Sequence, residues 1–149
     1  MIPTLDTIHD IARAIQLALA PAFLLTGIAG MLNVMAGRLS RIIDRGRVVT
    51  EGQSEAGSDP AAAEIELRVL ERRRHYTSVA ITACTIAALL VCLVIAVLFV
   101  DVMLDAPLKW FIGALFTAAT LALVVGLAYF LREVHVATRT IRIMTPRGK

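Results

Sequence analysis

The sequence predicts an all-α integral membrane protein with three transmembrane helices, and three observations carry that expectation. First, Ala14–Gly37, Thr77–Val100 and Trp110–Leu131 are free of charge, with 24, 24 and 22 residues. At about 1.5 Å per residue such helices reach about 33–36 Å, enough to cross a hydrocarbon core of about 30 Å. Second, 58% of the chain is hydrophobic and the mean hydropathy is +0.76, well above soluble domains. Third, Lys and Arg are distributed asymmetrically about the three stretches. Arg38–Tyr76 carries eight and the chain after Leu131 carries five, against Arg13 and Lys109 alone elsewhere. Basic residues mark the cytoplasmic side, so the N-terminus is expected outside and both the long loop and the C-terminus inside. With 149 residues the chain is read as a single membrane domain, 1–149, with no room for a separate soluble domain.

The first element begins amphipathically. Ile8, Ile11, Ala12, Ile15 and Leu19 share one helical face, with Asp6, His9, Asp10 and Arg13 on the other. Pro21 either kinks one long helix or opens the span after an interfacial helix. A cleaved signal peptide is not expected, because Asp6 and Asp10 outweigh Arg13 and the apolar run continues past Pro21. The helical period persists beyond the span through Leu39, Ile42, Ile43 and Gly46. Glu51–Pro60 reads as a break rich in Gly, Ser and acids. A second helix from Asp59-Pro60 then leads through Ile65, Val69, Arg73 and Tyr76 into span two. Residues 38–76 are therefore expected to form a cytoplasmic helical hairpin from extensions of spans one and two.

Arg38, Arg41, Arg72, Arg73, Arg74 and Arg132 lie beside span ends. They form a collar suited to anionic lipid headgroups, at about 1 kcal/mol per basic residue near the surface. Salt bridging between helices is the other use, with Asp44 and Glu71 as the candidate acids. Pro107 blocks continuous helix after Asp101 and makes a tight outer hairpin. Beyond span three, Arg132, His135, Arg139 and Arg142 oppose Val134, Ala137, Ile141 and Met144. Residues 132–145 thus read as a basic amphipathic helix. It either lies on the inner leaflet or docks on the hairpin with Glu133 pairing an arginine.

Two kinds of stripe stand out within the spans. Ala22, Thr26, Gly30, Asn33, Gly37, Ser40 and Asp44 recur every three or four residues, all small or polar. Such a face is ill suited to lipid tails, so it either packs against another helix or lines water around a symmetry axis. Ala80, Cys84, Ala88, Cys92 and Ala96 on span two, and Ala114, Ala118, Ala122 and Gly126 on span three, form ladders that let backbones approach closely. Together they exceed what three helices need among themselves, which points to a homo-oligomer.

Other classes of function are disfavoured. No Asp, Glu, Lys, Arg or His lies within a span, and no nucleophile triad, H-E-x-x-H or phosphate loop occurs. No enzyme, metal or cofactor is expected. Cys84 and Cys92 lie eight residues apart on one helix, about 12 Å, too far to bridge. A net charge of +3, concentrated at span ends, suits membrane topology better than nucleic acid.

At Pro21-Ala22-Phe23-Leu24-Leu25, followed by Arg38-Leu39-Ser40-Arg41-Ile42-Ile43-Asp44-Arg45, the chain resembles a bacterial family of small membrane proteins, domain of unknown function 2721. The resemblance covers most of the chain and implies a bacterial inner-membrane protein with no assigned reaction. The functional expectation is a non-enzymatic homo-oligomeric assembly, with an ion-conducting pore lined by span one as its sharpest form. The alternatives are an accessory or scaffold subunit of a larger membrane complex and, more weakly, an organiser of anionic lipid.

Overall fold

The computed structural model describes residues 5–52, 60–104 and 108–141. They form three helices: α1, Leu5–Gly52, of 48 residues; α2, Pro60–Leu104, of 45; and α3, Lys109–Ile141, of 33. No strand occurs among the described residues. All three helices are long and apolar enough to cross a membrane. At about 1.5 Å per residue α1 and α2 reach about 70 Å, more than twice a hydrocarbon core. Their charged ends therefore have room to continue beyond it.

Pro21 lies inside α1, so residues 5–20 belong to the same helix and no separate interfacial helix precedes the span. The lost backbone bond is tolerable where neighbouring helices cover the freed carbonyl. α1 also continues through Glu51 and Gly52, past the point at which a break was expected. The remainder of that break, 53–59, lies outside the described residues, as does the Asp105–Pro107 turn. The start of α3 is fixed by a device the sequence reading missed. The Leu108 backbone N–H donates to Asp101 Oδ1 at 3.1 Å, while the Leu108 carbonyl accepts from the Ile112 N–H at 3.0 Å. Leu108 is thus the residue that caps α3, and a carboxylate satisfies an otherwise orphaned donor at the positive end of the helix.

The chain divides into two compact units. One comprises the chain through Leu32 with Ala83–Val124; the other comprises Asn33–Thr82 with the chain from Val125. In the first unit the buried residues are mostly small: Ala14, Ala18, Pro21, Cys84, Ala87 and Ala119, with Ile28, Val91 and Val94. The large apolar side chains point outward, among them Phe23, Leu89 and Leu121. That inversion of a soluble core is what lipid permits, because tails solvate leucine while small residues let helices approach. It also places the face expected of the N-terminal segment differently. Ile11, Ile15 and Leu19 are exposed, and Ala14 and Ala18 are the buried pair.

The second unit buries Met35 and Ile42 of α1, Leu70, Thr77 and Ala80 of α2, and Gly126 and Glu133 of α3. Along each helix the buried positions step by sevens: 28, 35 and 42; 70, 77, 84 and 91; 119, 126 and 133. This is the 3.5-residue period of knobs-into-holes packing, and on α2 Ala80, Ala87 and Val94 supply the intervening positions. Glu133 occupies one of these inward positions, where the period would otherwise place an apolar side chain.

Candidate functional site

The second unit is organised around that carboxylate. The Glu133 side chain is 0% exposed, and Glu133 accepts from two helices at once. Arg38 of α1 donates from Nη1 to Oε2 at 2.8 Å. Arg73 of α2 donates to Oε1 from Nε at 3.1 Å and from Nη2 at 2.9 Å. A buried carboxylate costs several kcal/mol to desolvate, and only paired, well-aligned donors offset that cost. Here three N–H groups do so, and no buried side-chain polar atom among the described residues lacks a partner. The guanidinium of Arg38 also sits 5.3 Å from the Phe130 ring, one turn before Glu133, a cation–π contact that holds it over α3. The result is a clasp fastening all three helices where their charge-free stretches end.

The surroundings support it. Thr77, fully buried, donates its hydroxyl to the Arg73 carbonyl at 3.0 Å. Tyr76 and Tyr129 meet with ring centroids 6.3 Å apart, and Arg72 Nε donates to the Tyr76 hydroxyl at 3.1 Å. Further from the apolar stretches, Arg45 Nε donates to Glu66 Oε1 at 2.8 Å, joining the extensions of α1 and α2. The acids expected to bridge helices were Asp44 and Glu71. Asp44 instead accepts from the Ser40 hydroxyl of its own helix at 3.4 Å, and Glu71 forms no ion pair among the described residues. Glu66 takes one such role, and Glu133 takes the other, as the docked alternative for the segment after span three expects. Residues 132–141 are the continuation of α3, and Val134 and Ala137 sit against Ile42 and Leu70 around one cavity. This segment is therefore docked, and 142–145 lie outside the described residues.

The collar arginines consequently separate into groups. Arg38 and Arg73 are engaged by Glu133 and Arg72 by Tyr76, whereas Arg41, which lines one cavity with Arg38 and Arg73, and Arg132 are exposed. Arg74 lines a second cavity, beside Glu71.

The α1 stripe is exposed among the described residues. Ala22, Thr26 and Gly30 are exposed in the first unit, and Asn33, Gly37, Ser40 and Asp44 in the second. A Cβ built on Gly30 or Gly37 would meet nothing within 4 Å. The Thr26 hydroxyl satisfies itself on the Ala22 carbonyl at 3.3 Å, but Asn33 makes no hydrogen bond to another described residue. The stripe keeps one face, since its spacings of three and four average close to 3.6.

The ladders do not keep one face. Each step of four residues rotates about 40° around the helix, so five rungs sweep about 160°. Ala80 and Cys84 are buried, Ala88 is half-buried, and Cys92 and Ala96 are exposed. On α3, Ala114 and Ala118 are exposed, Ala122 is half-buried and Gly126 is buried. Among the described residues no group of three His, Cys, Asp or Glu side chains is gathered for a metal.

A match to the family described as Protein of unknown function (DUF2721) covers residues 18–143, and the chain belongs to that family. No curated protein and no solved structure matches the chain.

Proposed function

We propose that this chain is a non-enzymatic, multi-pass protein of the bacterial inner membrane that assembles with copies of itself through the α1 stripe. The observation that carries this reading is the exposure of Thr26, Gly30, Asn33 and Gly37, with open space where a Cβ on either glycine would stand. An amide in hydrocarbon without partners costs several kcal/mol. Asn33 both donates and accepts, so it can pair with its own counterpart across a symmetry axis. Glycines with open space above them weaken the helix by about 0.5–1 kcal/mol each relative to alanine and gain their use only when another backbone arrives. The only fully buried carboxylate among the described residues is consumed by the clasp, which supports a structural rather than a chemical role for it.

The geometry of assembly decides what the stripe does. A tight dimer uses it entirely as packing. A wider ring turns Thr26, Asn33 and Ser40 toward water, with Asp44 at one mouth, and makes an ion path whose selectivity rests on charges at that end. In a variant carrying Cys84→Ala and Cys92→Ala, Asn33→Cys is expected to form a disulfide-linked dimer in native membranes, and Gly30→Leu is expected to abolish it without altering the fold. Conductance of the purified protein in planar bilayers separates ring from dimer. Purification as a monomer, or with a stoichiometric foreign partner and no Asn33→Cys crosslink, would replace this reading with that of an accessory subunit.

Orientation is tested independently in the same cysteine-free background. Glu51→Cys is expected to be shielded from an impermeant thiol reagent in intact cells, while Lys109→Cys reacts. The reverse pattern overturns the thirteen-to-two basic asymmetry as a guide to topology.

A further inference from the structure

Four arginines of the second unit, Arg38, Arg41, Arg45 and Arg73, line one cavity of about 340 Å³, and no carboxylate belongs to its wall. Among the described residues the carboxylates ion-paired with these four arginines are two, Glu133 and Glu66, so the arginines outnumber the acids paired with them. Donors are left over as well. Arg38 gives Glu133 only Nη1, Arg45 gives Glu66 only Nε, and Arg41 has no ion-pair partner among the described residues. The first unit offers a contrast: its charged cavity is lined by Arg13, Lys109 and Asp101, of mixed sign. Arginines that line one cavity with unspent N–H groups match the oxygens of a tetrahedral anion; Arg38 and Arg73 are half-buried, which strengthens their attraction, while Arg41 and Arg45 are exposed and open to an incoming ligand.

We propose that this cavity binds a phosphate group. The inference stands apart from self-assembly, since it uses none of the stripe. Two further features bear on how the phosphate is presented. Leu70 and Val134 also line the cavity, so the occupant carries an apolar part beside its charge. Arg38 directly follows one charge-free stretch and Arg73 lies four residues before another, which sets the site at headgroup depth when the helices span a bilayer. Both features fit the phosphate of an anionic lipid, and a soluble phosphate is the other source of the same chemistry.

The test uses the full chain and Arg41→Gln, which breaks no ion pair, alone and combined with Arg45→Gln. An Arg68→Gln/Arg72→Gln variant removes the same charge outside the cavity. Protein reconstituted in phosphatidylcholine nanodiscs doped with phosphatidic acid is released, and retained lipid is counted by native mass spectrometry. Retention is expected to fall about tenfold in the cavity double variant and less than about twofold in the control. In a second arm, inorganic phosphate is titrated into lipid-free protein in neutral detergent and thermal unfolding is followed. Retention of phosphatidic acid that depends on Arg41 assigns the site to lipid. A phosphate-dependent rise in melting temperature lost in Arg41→Gln, without selective lipid retention, assigns it to a soluble phosphate. Equal losses in cavity and control variants, or no response to either probe, overturn the site and leave diffuse surface charge as the explanation.

Discussion

Glu133→Gln is expected to lower the stability of the folded chain by about 3 kcal/mol, among the largest effects of any single polar substitution. The glutamine retains the shape and one acceptor, but it removes the charge and turns an amide NH2 toward one of the two arginines, so the lost charge and the lost acceptor both contribute. Removing one partner from a buried ion network typically costs about 3–5 kcal/mol, because the remaining charges stay desolvated and uncompensated. The lower end applies because Arg38 and Arg73 are partly open to solvent, at 37% and 25% side-chain exposure. Arg73→Gln is expected to cost more than Arg38→Gln, since Arg73 makes two bonds to Oε1 and is the less exposed of the pair. The informative variant is the triple substitution Glu133→Leu, Arg38→Met, Arg73→Met. Replacing a whole buried network by apolar groups is often neutral or stabilising, so this variant is expected to recover most of the loss. Unfolding of each variant by SDS in mixed micelles, followed by circular dichroism, provides the measurement. A Glu133→Gln protein as stable as the wild type would mean that the clasp does not hold the helices together.

Much of this architecture is legible in the residues themselves. A predominantly apolar, charge-free run of 22–24 residues reads as a membrane-spanning helix, so three helices follow from Ala14–Gly37, Thr77–Val100 and Trp110–Leu131 with no tertiary information. The phase of packing is not legible in the same way. Periodicity reveals a buried face by contrast with polar positions, and on α2 Thr77–Val100 offers little contrast. Alanine and cysteine at intervals of four are conspicuous there, yet the buried set follows the sevens through Thr77, Cys84 and Val91. The ladder shares Ala80 and Cys84 with the buried set and then turns away from it, which is why Cys92 and Ala96 are exposed.

The charged site was half legible for a related reason. Arginines beside span ends are visible to any reading of topology, and they read most simply as headgroup contacts. Which of them turns inward depends on rotation about helices whose phase the apolar stretches conceal. Glu133 stands one full seven beyond Gly126 and two beyond Ala119, so the buried phase of α3, once known, marks it as the inward carboxylate. The α1 stripe escaped this ambiguity because Thr26, Asn33, Ser40 and Asp44 supply polar contrast in an apolar background.

The same phase argument yields the second large effect. Ala87→Leu is expected to destabilise the fold by about 1–3 kcal/mol, or to prevent it, whereas Ala118→Leu should leave the isolated chain as stable as the wild type. Both are alanines in the middle of long apolar helices, and on composition nothing distinguishes them. Ala87, however, is 0% exposed, one seven beyond the equally closed Ala80 and one seven before Val94. A leucine there adds three carbons where interior packing leaves no space, and relief requires the helices to separate. Ala118 is exposed beside the buried Ala119, and a leucine at that position points close to where the exposed Val125 already points, two turns on. Ala88→Leu, half-buried, should fall between them. The series is to be measured by SDS titration in detergent conditions that keep the protein monomeric, so that contacts between copies do not contribute. If Ala118→Leu costs as much as Ala87→Leu there, the seven-residue seam is not the packing surface. If it is silent in the monomer but weakens association in membranes, then the outward rungs of α3 serve contacts between copies, alongside the α1 stripe.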